Sequence, residues 1–257
     1  MSLHLRAAVA VLGTPGVAAT TPHAVLVDRL VAQVLRADLD PDLSLLAYAA
    51  PDAYPHKCVA TYLNHLTGGK AHSAGLTGQG LGAPFTALRV ADAYARTGQS
   101  SRPMIVVVES AAPASGDRSG PTEMAPELDS GVLLAFGVGD EPWTVAEVAA
   151  FETRGGLTQR LRCLARAEDE TLYVLGPALD DDFAGDFAPG DGHAEVHRVQ
   201  AGSYCTSVWL ALASHWDAWS RSRRVIALCE TDPLTGASHL AVLLRHADGV
   251  RSDTELT

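Results

Sequence analysis

The feature that most constrains this chain is a pattern that occurs twice. Residues 82–109 and residues 205–230 each read as an apolar helix, a turn and an apolar strand that ends in a glutamate. A second apolar strand follows each block, GVLLAF in the first case and HLAVLL in the second. Because long internal self-similarity marks a fold built from equivalent units, two copies predict a pseudo-twofold α/β domain. In such a fold the N-termini of the two repeated helices can converge on one site.

The remaining elements also alternate between strands and helices, which predicts a layered α/β fold with largely parallel pairing. Helical spacing or buried-strand composition predicts helices at residues 22–36, 55–66, 85–96 and 206–220, and strands at residues 5–12, 43–49, 104–108, 131–136, 172–175, 194–199, 225–229 and 239–244. We interpret residues 70–75 as a short connecting segment, and residues 111–126, 140–170 and 179–193 as loops. The prediction is one domain over residues 1–257, with pseudo-repeat halves at about 1–140 and 170–257.

Composition excludes several classes of function. The chain has 257 residues, is 47% hydrophobic and only 19% charged, and carries a net charge of -11, which argues against a nucleic-acid surface. No apolar run approaches the roughly 20 residues that a membrane-spanning helix needs. The four cysteines lack paired spacing, and the short apolar N-terminal run lacks the features of a signal peptide. We therefore expect a cytoplasmic protein that uses no metal and no cofactor.

The segments that precede the two repeated helices contain few residues that could act as a nucleophile, an acid or a base. They are Gly80-Leu81-Gly82 and Gly202-Ser203-Tyr204. The glycines of TGQGLG lack the order of a dinucleotide or phosphate-binding motif, so they predict a tight turn with close backbone approach.

For two further groups of polar residues we favour a structural or solvent-exposed role over a catalytic or metal-binding one. Glu109 and Glu230 end equivalent strands, which favours a structural role such as bonding loop backbone over that of a catalytic acid. His193 and His197 have a spacing that could suit a metal, but a solvated loop and strand edge is the favoured interpretation.

Parts of the sequence resemble a known family. ALRVADAYARTG, followed by an apolar strand and an acid, is similar to the segment after the catalytic cysteine in β-ketoacyl-ACP synthase III enzymes of the thiolase superfamily. Residues 129–134 and 201–207 resemble two turns of that family, and the resemblance extends over residues 5–137 and 170–246. It implies a thiolase-like duplicated five-layer αβαβα fold, here shortened between residues 137 and 172.

The resemblance also implies a catalytic set that this chain lacks. In that family a cysteine at a buried helix N-terminus is the nucleophile, and a histidine and an asparagine stabilise the oxyanion. A gapless alignment places Leu81, Gly176 and Ser203 at those three positions. A shift of two residues would bring Gln79 to the cysteine position, and Cys205 lies one turn into the second repeated helix. Gln79 and Cys205 are therefore the weak alternatives for a reactive residue.

These observations lead to three functional hypotheses. The first is a catalytically degenerate ketosynthase III-like subunit that supports acyl condensation or transfer in fatty-acid, polyketide or secondary metabolism. Its partner would be an active homologue in a heterodimer, or a second copy in a homodimer, with acyl carrier protein or acyl-CoA as further partners. The second is an active acyltransferase or decarboxylase that uses Cys205 or Gln79, and the third is an acyl-chain or carrier-protein binding module. The resemblance further predicts the strand at residues 104–108 near the dimer interface.

Overall fold

A computed structural model describes residues 2–13, 21–34, 39–52, 57–111, 126–139, 141–167, 170–187 and 195–246. The described strands are β1 (Leu3–Leu12), β2 (Leu43–Ala47), β3 (His72–Leu76), β4 (Pro103–Glu109), β5 (Ser130–Val138), β6 (Trp143–Phe151), β7 (Thr171–Leu175), β8 (Glu195–Arg198), β9 (Val225–Thr231) and β10 (Ser238–Arg245). The described helices are α1 (His23–Val34), α2 (Val59–Leu66), α3 (Gly82–Arg96), α4 (Arg154–Ala167), α5 (Asp181–Phe187) and α6 (Ser207–Ser222). None of these helices is long and apolar enough to cross a membrane.

The strand order repeats itself with reversed direction along the sheet. The order is β3-β2-β4-β5-β1-β6-β10-β9-β7-β8, so β1 to β5 correspond in turn to β6 to β10. The two five-strand series meet at β1 and β6, which pair antiparallel through His4 and Thr144. The pseudo-twofold repeat that the sequence predicts is therefore present in the connectivity, and its second series begins with β6.

The apolar faces of these elements divide the structure into five layers. Helices α3 and α6 share the central core with strands of both series, including β1, β2, β7 and β9. Phe85 of α3 contacts Trp209 of α6 with ring centroids 5.0 Å apart. Helices α1 and α2 cover the outer face of the first series, and α4 and α5 cover the outer face of the second. The predicted burial of the two repeated helices is confirmed for their packing faces, although the last turns of α6 carry exposed residues.

Three predicted loops or connections turn out to be regular structure. Residues 140–170 contain β6 and α4, whose Leu157, Leu161 and Leu164 are buried at helical spacing between polar residues. Residues 179–193 contain α5, where Asp180 accepts a hydrogen bond from the Phe183 N–H at 3.0 Å and so caps the helix. Residues 72–76 form the edge strand β3, whose small and polar residues give no apolar signal. The predicted loop at 111–126 lies almost wholly outside the described residues.

Residues 104–108 are paired along both strand edges inside the chain, so they do not pair with a second chain, and their location near a dimer interface stays a prediction. Strand β4 is paired with β2 on one side and with β5 on the other, and all of its residues are buried. Its backbone groups are thus fully used inside the chain. The open edge of the first series is β3, which pairs with β2 alone in the described sheet.

Candidate functional site

A pocket of about 290 Å³ lies where the carboxyl ends of β7 and β9 meet the N-termini of α3 and α6. Its described lining consists of Leu81, Pro126, Glu127, Pro177, Ala178, Ala201, Gly202, Ser203, Tyr204, Glu230, Thr231 and Pro233. Two of the three positions that the resemblance singled out, Leu81 and Ser203, therefore line one pocket. The third, Gly176, directly precedes the lining residues Pro177 and Ala178.

The turn before α3 is shaped by glycine. Gly78 and Gly80 have φ angles of 76° and 50°, a region that favours glycine, so the predicted tight turn is confirmed. A Cβ atom on Gly80 would lie 2.7 Å from Asp232 Oδ2 and 2.8 Å from the Tyr204 hydroxyl. The turn can approach these two side chains only because residue 80 has none. Leu81 is the N-cap residue of this helix, is 4% exposed and makes no side-chain capping hydrogen bond.

Gly176 and Glu230 occupy one space between them. A Cβ atom on Gly176 would collide with both carboxyl oxygens of Glu230, which is 2% exposed. Glu230 Oε1 also accepts a hydrogen bond from the Ser207 hydroxyl in the first turn of α6. Burial raises the pKa of Glu230 well above its ordinary value, and the nearby Glu109 and Asp232 raise it further, against one opposing backbone hydrogen bond from Val208. A buried carboxyl thus fills the volume that a side chain at position 176 would need.

Glu109 plays the structural part that its position predicts. It accepts hydrogen bonds from the backbone N–H groups of Tyr204 at 2.9 Å and Cys205 at 2.7 Å, and from the Thr206 hydroxyl at 2.7 Å. The Ser130 hydroxyl shares its proton between Glu109 Oε1 at 3.2 Å and the Thr206 hydroxyl at 2.7 Å. Burial raises the pKa of Glu109, while these donors act in the opposite direction. Glu109 therefore holds the segment before α6 against the end of β4.

The two alternative reactive residues are not among the described lining residues of the pocket. Cys205 is 2% exposed, and its thiol donates to the Val108 carbonyl oxygen at 3.8 Å. Burial, and then the charge of Glu109, raise the pKa of this thiol well above its ordinary value, which disfavours the reactive thiolate. Gln79 is exposed, and its Oε1 accepts a hydrogen bond from the Thr86 hydroxyl at 2.5 Å.

Sequence reasoning missed three polar side chains beside the pocket. The Tyr204 hydroxyl donates to Asp232 Oδ2 at 3.2 Å, and burial, followed by the charge of this carboxylate, raises the pKa of the tyrosine. His239 stacks on Phe85 with centroids 5.2 Å apart, and burial lowers its pKa. A Cβ atom on Gly82 would lie 2.9 Å from the His239 ring. The available signal was the pairing of strand β9 with β10, which sets His239 opposite Glu230.

No group of three or more histidine, cysteine or acidic side chains in the described ranges could hold a metal ion. His197 instead contacts the His215 ring, with centroids 4.9 Å apart, and the Trp219 ring at 5.0 Å. His193, the other member of the spaced pair, lies outside the described residues.

Comparison with known proteins identifies the fold. No protein-family model matches the sequence, and no curated protein matches it either. Among solved structures, the chain is similar to the acyltransferase ChlB3, with a TM-score of 0.69 and 14% identity over 95% of this chain and 98% of that one. It is similar to AbyA1, a tetronic acid condensing enzyme, with a TM-score of 0.67 and 12% identity over 95% and 100%. It is also similar to 3-oxoacyl-(acyl carrier protein) synthase III from Pseudomonas aeruginosa PAO1, with a TM-score of 0.61 and 13% identity over 95% and 98%.

These likenesses, together with the layers and strand order, define the class of fold. The chain has a thiolase-like fold of the ketosynthase III type, which confirms the predicted fold class. At these levels of identity the likeness establishes the fold, and function has to be argued from the site.

Proposed function

We propose that this protein is a catalytically degenerate, cytoplasmic ketosynthase III-like subunit that supports acyl condensation or transfer by a partner ketosynthase in fatty-acid, polyketide or secondary metabolism. The observation that carries the proposal is the pocket at the two helix N-termini. Its described lining holds neither a cysteine nor a histidine, and Leu81 stands where helix α3 begins. Nucleophilic acyl transfer needs an activated nucleophile at such a place. Leucine cannot supply one.

The neighbouring residues support the same interpretation. The carboxyl of Glu230 already fills the space beside Gly176. Ser203 lines the pocket without a described hydrogen bond to a base. The thiol of Cys205 is buried against the Val108 carbonyl, and Gln79 is turned towards Thr86. Acyl transfer through either Cys205 or Gln79 would require that side chain to leave its contact.

The open edge of strand β3 supports association with a partner chain. Residues 72–75 of β3 are exposed, and the strand pairs with β2 alone in the described sheet. An unpaired edge is a template for pairing with another chain unless charges, proline or a covering segment block it. Ser73, Ala74 and Gly75 carry neither charge nor bulk. We infer that β3, rather than β4, meets the partner, which is an active ketosynthase homologue or a second copy of this chain.

Two measurements test the proposal. The protein is incubated with acyl-CoA or acyl carrier protein, and its intact mass is recorded; we expect no stoichiometric acyl adduct. An adduct that disappears on Cys205→Ala or Gln79→Ala would instead identify an active acyltransferase. Non-covalent acyl binding without any assembly would favour the binding-module alternative.

The assembly is tested by co-expression with ketosynthases encoded nearby, followed by native mass measurement. We expect a two-chain complex that is lost on Ala74→Lys, because a lysine blocks edge pairing. Leu12→Lys, at an exposed position at the end of β1, is the matched control and should leave the complex intact. A stable lone chain at micromolar concentration with every ketosynthase tested would contradict the proposal.

A further inference from the structure

Two histidine rings from different elements meet in the second series of strands. His197 lies on the edge strand β8, and His215 lies on helix α6. Their ring centroids are 4.9 Å apart, with an angle of 60° between the ring planes. His197 is half-buried and His215 is exposed, and neither is among the described lining residues of the pocket at the helix N-termini. The partner of His197 therefore comes from α6 and not from the spacing within its own strand.

The ring of Trp219 holds both histidines in place. It stacks on His215, with centroids 4.7 Å apart and an angle of 11° between the planes. The same indole meets His197 edge-on, with centroids 5.0 Å apart and an angle of 71°. Trp219 is itself 7% exposed and belongs to the central core. Because the core fixes the indole, the positions of the two imidazole rings are set before any ligand arrives.

The backbone of α6 selects the tautomer of His215. Its Nδ1 atom lies 3.0 Å from the Ala211 carbonyl oxygen. A carbonyl oxygen can only accept, so Nδ1–H donates, and Nε2 of the neutral ring keeps its lone pair. Histidines that bind metal ions generally donate their other ring N–H to a backbone carbonyl, a carboxylate or water, which fixes the ring orientation. His215 therefore has the tautomer and the supporting hydrogen bond of a metal ligand that binds through Nε2.

The separation of the two rings suits a shared ion. Zinc binds an imidazole nitrogen at about 2.0–2.1 Å, and the ring centroid lies about 1.1 Å behind that nitrogen. Two imidazoles that meet one ion at an angle of about 90–109° then have their centroids about 4.5–5 Å apart. The observed 4.9 Å falls within this range. Since two rings are fewer than the three or four protein ligands of most zinc sites, water would complete the coordination.

We propose that His197 and His215 together bind one divalent transition-metal ion of the class that prefers imidazole, such as Zn²⁺, and that this ion ties the edge strand β8 to helix α6. The nearby charges allow a cation here, because Glu195, two residues before His197, pairs with Arg223 at 2.5 Å and offsets its charge. Binding of the ion involves no acyl group and no partner chain, so the inference goes beyond the proposed function and does not rest on it.

The test is calorimetric titration of the full chain with ZnCl₂, in a Cys58→Ser, Cys163→Ser background that removes the two exposed thiols. We expect one Zn²⁺ per chain and no binding of Mg²⁺, which prefers oxygen ligands. His197→Ala and His215→Ala should each weaken binding at least about tenfold, since loss of a supporting contact alone costs about 10–100-fold. His65→Ala on α2, an exposed histidine outside the pair, is the matched control and should leave binding unchanged.

Hydrogen exchange and thermal unfolding show where the ion acts. Saturating Zn²⁺ should slow amide exchange in β8, because the ion holds this edge strand against α6. At a hundredfold excess over the dissociation constant it should also raise the melting temperature by about 5 °C. Both effects should be lost in His197→Gln and in His215→Gln, which decide the question if an alanine variant folds poorly.

Three results would overturn the inference. They are the absence of Zn²⁺ binding at submillimolar concentration, binding that survives both His197→Ala and His215→Ala, and slower exchange that is confined to segments other than β8. None of these depends on the intact-mass and co-expression results, so the two proposals can fail separately.

Discussion

Removing the Glu109 carboxyl should lower the free energy of unfolding, because it leaves hydrogen-bond donors without an acceptor in addition to any loss of packing. Glu109 accepts hydrogen bonds from the buried N–H of Cys205, from the half-buried N–H of Tyr204 and from the hydroxyls of Ser130 and Thr206. The two hydroxyls lie 2.7 Å apart, so in the variant one of them can donate to the other. The two N–H groups are left without an acceptor in Glu109→Ala. An unsatisfied buried donor costs about 1–3 kcal/mol and the half-buried one costs less because water can reach it, so the variant should lose about 1–4 kcal/mol.

The free energy of unfolding is measured by urea titration followed by circular dichroism at pH 7. Since domains are stable by only about 5–15 kcal/mol, this loss should shift the midpoint strongly without changing the slope. Glu109→Gln keeps one acceptor oxygen and should lose about half as much. Ser130→Ala removes one hydroxyl and should lose about 1 kcal/mol. A Glu109→Ala variant within 1 kcal/mol of the wild type would refute the role of this carboxyl in joining β4 to α6.

Three further outcomes follow from the same site and from the exposed thiols. Because the pKa of Glu230 is raised, the folded chain keeps a proton that the unfolded chain releases above about pH 4.5. The free energy of unfolding of the wild type, relative to that of Glu230→Gln, should therefore fall by about 1.4 kcal/mol per pH unit until the folded pKa is passed. Urea titrations from pH 5.5 to 8 measure this difference, and a difference that does not change with pH contradicts the prediction. Gly176→Ala should destabilise the protein by about 1–3 kcal/mol because the added methyl group collides with the Glu230 carboxyl. In thermal melts, the double variant with Glu230→Ala should lose less stability than the sum of the two single variants, and strictly additive losses would argue against the contact. Cys58 should react with iodoacetamide faster than Cys163, which is also exposed, because hydrogen bonds with Thr61 lower the pKa of the Cys58 thiol. Peptide mass mapping at pH 7 measures the labelling, and equal labelling of both cysteines would exclude this.

The sequence was most informative where the apolar pattern is strong and local. The central helices and strands β4 and β9 were predicted because both of their faces are covered, which leaves long apolar runs. Helix α4 was missed because only one side of it is apolar and the other is rich in arginine. Strand β3 was missed because an exposed edge needs no apolar residues.

The pocket was predicted in part, for a physical reason. Leu81 and Ser203 precede the two repeated helices, so the repeat alone brings them together. The contact between Gly176 and Glu230 joins residues from different loops and strands. It depends on the side-chain volumes of residues that are distant in sequence, and the local sequence around each residue does not predict it. A glycine after one strand and an acid at the end of the neighbouring strand was the only available hint.

The mirrored strand order leaves the sheet with an edge strand at each end, at which further chains could add. Both ends of the described sheet are short parallel edge strands, β3 and β8, so the molecule could in principle add neighbours at either end and extend as a fibre. The two ends differ in chemistry: β8 carries Glu195 and Arg198, and Glu195 is paired with Arg223. Charged side chains on an edge oppose strand addition. Pairing through the uncharged β3 edge of two molecules would bury both of those edges and leave only charged ends outside, so the assembly would close at two chains.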